Sequence, residues 1–157
     1  MKGRNHIWAA FMAIVLIGLS CDKDRVYDHV VALSREGWNA GKGMEFDMPV
    51  NDTKKAYDLS IHLRNNGDYK YSNIWLFIEV KSPDGNSVRD TFEIKLANEA
   101  GRWTGKGIGN VYELLAPYKK NILFPTRGIY HVTVWQAMRD ETLEHLLNLG
   151  LCLQYHI

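Results

Sequence analysis

The chain has 157 residues, with 19 Lys and Arg against 18 Asp and Glu and a formal net charge of +1. This length fits one domain with a hydrophobic core and leaves little room for two. Proteins that bind nucleic acid need basic faces to neutralise phosphates, so the balanced charge argues against DNA or RNA as a partner.

An apolar run with a basic start opens the chain. Lys2 and Arg4 precede an apolar block from Ile7 to Leu19, and the run ends at Cys21 before the charged sequence DKDR. A basic stretch, a short apolar block and small residues, in that order, are typical of a secretory signal peptide. A transmembrane helix needs about 20 apolar residues, and this block is shorter.

The residues around Cys21 also indicate a lipid anchor. The sequence LIGLSC resembles the lipobox of bacterial lipoproteins, in which the cysteine thiol takes a diacylglyceryl group and the cysteine becomes the acylated first residue of the mature chain. Gly18 departs from this pattern, which usually has Leu three residues before the cysteine. We expect a lipoprotein signal peptide over residues 1–20 and a lipidated tether over residues 21–27. The alternative is an ordinary signal peptide cut near Gly18 or Ser20.

Alternation of apolar and polar residues dominates the rest of the chain and predicts β-strands. The clearest are AYDLSIHLR and the hairpin NIWLFIEVKSPDGNSVRDTFEIKL, in which Pro83, Asp84 and Gly85 form the turn and Val88 should face inward. The first hairpin strand is apolar on both parities, which predicts a central strand covered on both sides. Further strands are expected at GIYHVTVWQAM and LNLGLCLQYHI, and weaker candidates are RVYDHVVAL, GMEFDMPV and KNILF.

Helical periodicity is confined to short segments. NVYELLAPY and ETLEHLL each fit one short helical stretch, the first of them ended by Pro117. The whole pattern predicts an all-β fold: an antiparallel β-sandwich, jelly-roll or immunoglobulin-like, over residues 28–157, with one or two short helical turns.

The sequence contains no motif that predicts catalysis. The His residues lack the close ligand spacing of structural zinc sites, and no Ser lies in a G-x-S-x-G elbow. WTGKGIGN lacks the Ser or Thr that follows the lysine of a phosphate-binding loop, so its glycines more simply predict a tight loop with positive φ. We expect Cys152 to be a small structural residue, and we expect no enzyme activity, no metal and no cofactor.

Two tryptophans lie on strand faces opposite to the purely aliphatic residues. Trp75 alternates with Ile74 and Leu76, and Trp135 alternates with Val134. If these faces are exposed, the rings suit glycan or protein binding. If loops or a second sheet cover them, the rings belong to the core.

Three separated blocks of the chain resemble one family. YDLSIHLRNNGDYKYSNIWLFIEVKSPDG, GRWTGKGIGNVYE and FPTRGIYHVTVWQAMR are similar, in order and spacing, to the gliding motility lipoprotein GldH family, and the leader with Cys21 is similar too. The resemblance implies an acylated, non-catalytic protein of the cell envelope that works beside the gliding motor and the linked type IX secretion apparatus. It carries over one residue with a chemical role, Cys21 as the lipidation site.

The matched blocks also contain candidate contact residues. Arg64, Tyr69, Tyr71 and Trp103 are of types favoured at interface hot spots, and we expect them to bind a partner unless they only support bends of the scaffold. The leading hypothesis is a lipid-anchored envelope protein, in the outer rather than the inner membrane, with motility or secretion proteins as partners. The alternative is a lipid-anchored glycan-binding module.

Overall fold

The structure is a computed structural model and describes residues 24–157. The predicted signal peptide and the predicted lipidation site Cys21 lie outside the described residues. Within residues 24–157, no helix is long and apolar enough to cross a bilayer. The described chain forms the strands β1 (Arg25–Ala32), β2 (Trp38–Asn39), β3 (Met44–Val50), β4 (Tyr57–Asn66), β5 (Asn73–Lys81), β6 (Ser87–Lys95), β7 (Lys106–Ile108), β8 (Val111–Ile122), β9 (Gly128–Gln136), β10 (Thr142–Leu143) and β11 (Leu146–Tyr155).

Two antiparallel sheets enclose one hydrophobic core. The first sheet has the strand order β1-β11-β4-β8-β7 and the second has the order β3-β9-β5-β6, while β2 and β10 form a small separate pair. Side chains at alternate positions of each central strand point into the core, and in β4 these are Tyr57, Leu59, Ile61 and Leu63. The prediction of an all-β, antiparallel, sandwich-like fold is confirmed.

The predicted hairpin is β5 and β6, which pair from Asn73 opposite Lys95 to Lys81 opposite Ser87. Its turn uses Gly85 at φ 91°, a conformation that costs glycine no steric strain. Val88 lies opposite Val80 and lines the cleft between the two sheets, as predicted, but it is 68% exposed because it stands near the end of the edge strand β6. One detail of the prediction was wrong. β5 is covered on its inner face only, because in the described chain no third layer packs on the second sheet.

The expected helical turns are absent from residues 24–157. NVYELLAPY lies within β8 except for its first residue, Asn110, and ETLEHLL includes β10 and the start of β11. Pairing of β8 with β4 over its length overrides the local helical period, because it places Leu114 opposite Leu63 in the core. Pro117 lies at the sheet edge beyond the short β7 and beside a register shift, where a missing amide hydrogen is tolerated.

The sandwich has two ends, and the chain enters at one of them. β1 begins at Arg25, so residues 25–27 belong to the first sheet, although the sequence assigned them to a tether. The carbonyl of Asp24 accepts a 2.8 Å hydrogen bond from the Tyr155 amide. We call this end the proximal end; it includes the connections 51–56, 82–86 and 123–127. The opposite, distal end includes the connections 33–37, 67–72, 96–105 and 137–141. At about 3.3 Å per residue, the ten residues of β4 separate the two ends by roughly 30 Å.

Candidate functional site

An aromatic cluster closes the distal end of the sandwich. The Tyr69 ring lies 6.0 Å from Tyr71 and 6.5 Å from Trp103, and Trp103 lies 5.7 Å from Tyr112, measured between ring centroids. The structure therefore brings together three of the four residues that the sequence proposed for partner binding. Tyr112 was missed, because its segment was assigned to a helix; its alternation with Leu114 along β8 is the signal that could have found it.

Tyr69 supports this cluster from inside. It is only 5% exposed, its hydroxyl donates a 3.2 Å hydrogen bond to the carbonyl of Asn73, and its amide donates to the carbonyl of Asn66. Burial raises the pKa of the Tyr69 hydroxyl, so the group stays a neutral donor. Tyr69 was expected to contact a partner, but in the structure it fixes the loop and offers almost no surface.

Tyr71 and its neighbours form the accessible part of the distal end. Lys70 Nζ lies 3.1 Å from Asp140 Oδ2 and 5.1 Å from the centre of the Tyr71 ring. A hydrogen bond from Tyr71, together with the Lys70 ammonium, lowers the pKa of Asp140. Two shallow depressions of about 290 and 270 Å³ meet at Tyr71. We define the distal surface as Lys70, Tyr71, Trp75, Arg139 and Asp140.

Arg64 lies apart from the aromatic cluster, on the outer face of the first sheet. Its Nη2 donates a 2.8 Å hydrogen bond to Glu113 Oε2, and His62 Nε2 lies 2.7 Å from Glu113 Oε1. The hydrogen bonds from Arg64 and then His62 lower the pKa of Glu113. His62 Nδ1 and Arg64 Nε are buried without a hydrogen-bond partner among the described residues.

This ionic group borders a groove of about 520 Å³ between β1 and β8. Gly150 stands opposite His62 in the neighbouring strand, and a Cβ there would lie 2.7 Å from the carbonyl oxygen of His29, so glycine allows the close approach of β1. Cys152 lies on the same face, is 2% exposed and is a small structural residue at the groove wall. Arg64 thus lies beside this groove through its ion pair with Glu113, and it is not part of the distal surface.

The two tryptophans on the outer face of the second sheet differ in exposure. Trp75 is 40% exposed, whereas Trp135 is half-buried opposite Phe77. The Arg89 guanidinium lies 5.4 Å from the Trp135 ring centre and 4.9 Å from that of Phe77, so it covers both rings. Of the two candidates, only Trp75 presents a large aromatic surface.

The glycine-rich segment forms the hairpin of β7 and β8. Gly109 has φ 62°, as expected for a tight loop, but Gly105 serves close approach: a Cβ there would lie 2.8 Å from the carbonyl oxygen of Glu113. Ile108 at the tip of the hairpin is 88% exposed. In residues 24–157 no group of three or more His, Cys, Asp or Glu side chains is placed to hold a metal ion.

The geometry defines an all-β sandwich protein with an aromatic and charged surface at its distal end. A family model described as GldH lipoprotein matches residues 25–153. A gliding motility lipoprotein GldH homolog from Christiangramia forsetii is 40% identical over 129 residues, which are 82% of this chain and 78% of that protein. The gliding motility lipoprotein GldH of Flavobacterium johnsoniae is 32% identical over 157 residues, 96% of each chain. The chain belongs to the GldH lipoprotein family, which confirms the resemblance found in the sequence.

Proposed function

We propose that this protein is a lipid-anchored, non-enzymatic component of the cell envelope that supports gliding motility and the linked type IX secretion machinery through protein contacts. In this proposal residues 1–20 are a signal peptide, Cys21 carries the acyl chains, and the domain that follows binds a partner. Membership of a family whose members are named gliding motility lipoproteins supports the anchor and the process. We further propose the outer membrane as its location.

The observation that carries the proposal is the position of the distal surface. Tyr71, Trp75 and Arg139 are of the residue types that dominate interface hot spots, and they lie together at the end opposite to the entry of the chain. The buried Tyr69 and the half-buried Trp103 hold this surface rigid, which lowers the entropic cost of binding. The anchor keeps the surface at high local concentration beside other membrane proteins, so weak contacts are occupied.

Glycan binding has less support in the structure. A sugar-binding platform needs exposed aromatic rings. Arg89 covers Trp135, so of the two tryptophans only Trp75, beside the Met138 sulfur, is exposed. The names of the two relatives refer to motility and to no sugar. Protein contact therefore explains the distal surface better.

Cross-linking in intact cells tests the proposal. The native chain should recover motility or secretion proteins, Cys21→Ala should lose them together with membrane attachment, and Arg139→Glu should lose them while it stays attached. Arg35→Glu, another exposed arginine in a distal connection, is the matched control and should behave as the native chain. Recovery of no envelope protein by the native chain, or equal recovery by the two arginine variants, would refute the proposed role of the distal surface.

A further inference from the structure

The two ends of the sandwich differ in charge. At the proximal end, residues 51–56, 81–87 and 120–127 contain five basic and two acidic residues, whereas the distal segments 33–43, 67–72, 96–110 and 137–145 contain six of each. The proximal cations are exposed on separate connections that meet at this end. They are Lys54, Lys55, Lys81, Lys120 and Arg127, and the two acidic residues are Asp52 and Asp84. Asp24 and Asp58 add two carboxylates at this end, so the excess of positive charge lies on the three connections.

Exposed apolar side chains lie beside these cations. Leu123 is 64% exposed and stands between Ile122 and Phe124, which line the mouth of an apolar cleft of about 390 Å³ between β6 and β8. Val88, 68% exposed, lies on the other side of the same mouth. Large exposed apolar residues next to lysines and arginines are the composition of surfaces that rest in a membrane interface.

The chain leaves the described domain at the same end. Asp24 is hydrogen-bonded to Tyr155, whose ring packs on Tyr57, and Tyr57 packs on Phe124 of the 123–127 connection. Three residue steps separate Asp24 from Cys21, and a fully extended chain covers them in about 10 Å. An acylated Cys21 therefore holds the proximal end close to the headgroup layer.

We propose that the proximal end is a membrane-docking surface for a bilayer with anionic headgroups. Leu123 enters the acyl boundary, and Lys54, Lys55, Lys120 and Arg127 lie at the lipid phosphates. Each cation beside an anionic membrane strengthens binding by roughly fivefold. The inference rests on the anchor proposed at Cys21, and it fixes the orientation of the domain: the distal surface points away from the membrane, roughly 30 Å from the lipid.

Contact quenching by brominated acyl chains tests this orientation with the full lipidated protein. The native tryptophans that follow Cys21, namely Trp38, Trp75, Trp103 and Trp135, all lie towards the distal end and should remain unquenched in vesicles of phosphatidylglycerol and phosphatidylethanolamine. The Leu123→Trp variant adds a ring at the proximal end and should show strong additional quenching. Ile108→Trp, at an exposed distal tip, is the matched control and should show none.

Each outcome separates the orientation from the anchor. Quenching of the Leu123→Trp variant alone, reduced when Lys120→Glu and Arg127→Glu are added, supports the docking surface. Equal quenching of both variants would mean that the domain lies on its side. Absence of quenching in both would mean that the proximal end faces solvent or a protein partner. Either result overturns the inference while the anchor stands. Failure of the lipidated chain to sediment with vesicles would overturn the anchor, and the docking surface with it.

Discussion

Lys119 Nζ lies 2.6 Å from Asp90 Oδ2, so an ion pair joins β8 of the first sheet to β6 of the second. Tyr118 donates a 3.2 Å hydrogen bond to the same carboxylate, and its ring packs edge-on against Phe92 at 5.0 Å. The Lys119 hydrogen bond, the Thr91 amide and Tyr118 lower the pKa of Asp90. These contacts close the sandwich on the side where the apolar cleft opens.

Removing the charge of Asp90 should weaken this closure. Asp90→Asn is expected to lower the free energy of unfolding at neutral pH by about 0.5–1 kcal/mol, a small amount because solvent screens the partly exposed pair. The folded pKa of Asp90 is depressed, so its contribution is present above its ordinary value near 4 and disappears as the pH falls through the folded pKa. Urea unfolding at several pH values should show native chain and variant converging in acid. Glu99→Gln, in an exposed loop, is the control; a constant difference down to pH about 2 would contradict the assignment.

Two glycines of the β7–β8 hairpin should differ in their tolerance of alanine. Gly105→Ala forces a Cβ against the Glu113 backbone, which is expected to cost about 2 kcal/mol or more of stability. Gly109→Ala meets nothing within 4 Å and should cost about 1 kcal/mol, from its positive φ alone. Thermal unfolding measures both. Equal losses would show that β7 can move away from β8.

Truncation of Trp103 and of Trp75 should separate support from contact. Trp103→Ala removes the ring between Tyr69 and Tyr112 and should destabilise the chain by roughly 2–3 kcal/mol, less than a fully buried tryptophan would. Trp75→Ala removes a ring that is 40% exposed and should cost under about 1 kcal/mol. Chemical denaturation gives both values. Loss of partner capture by Trp75→Ala at unchanged stability would support contact by the distal surface. A larger loss of stability in Trp75→Ala than in Trp103→Ala would contradict the described packing.

Asp58 positions the start of the proximal loop. Its Oδ1 accepts hydrogen bonds from the Asn121 amide at 2.9 Å and from His156 Nδ1 at 2.8 Å, and Asn121 has φ 55°. The Asn121 hydrogen bond is the main cause that lowers the pKa of Asp58. Asp58→Ala should lower the free energy of unfolding by about 1–2 kcal/mol and speed amide exchange in residues 120–127. Asp58→Asn keeps an acceptor and should lose less; identical behaviour of the two would exclude the hydrogen bond as the cause.

The sequence located only part of the candidate site. Tyr71 and Trp103 were found as aromatic residues in the matched blocks, and they do lie in one cluster. Arg64 came from the same block but points to the outer face, because it stands one position from the buried Asn65 on a strand whose faces alternate. Lys70 precedes Tyr71 in the chain, but Arg139 and Asp140 join Tyr71 only through the fold, since 70 residues separate Asp140 from its ion-pair partner Lys70.

The sequence by itself predicted most of the long strands, and its first residues predict a lipid anchor. Alternation along β4 and the turn at Gly85 are local properties, since successive side chains of any strand point to opposite faces. Only the tertiary structure decided that VYELLAPY is part of a strand, that β5 is covered on one face only, and which connections share an end. Those outcomes depend on pairing between distant segments, such as β4 with β8 and β1 with β11. The local sequence pattern does not show which strands are hydrogen-bonded to each other. The meeting of five cations on the proximal connections also follows from that pairing.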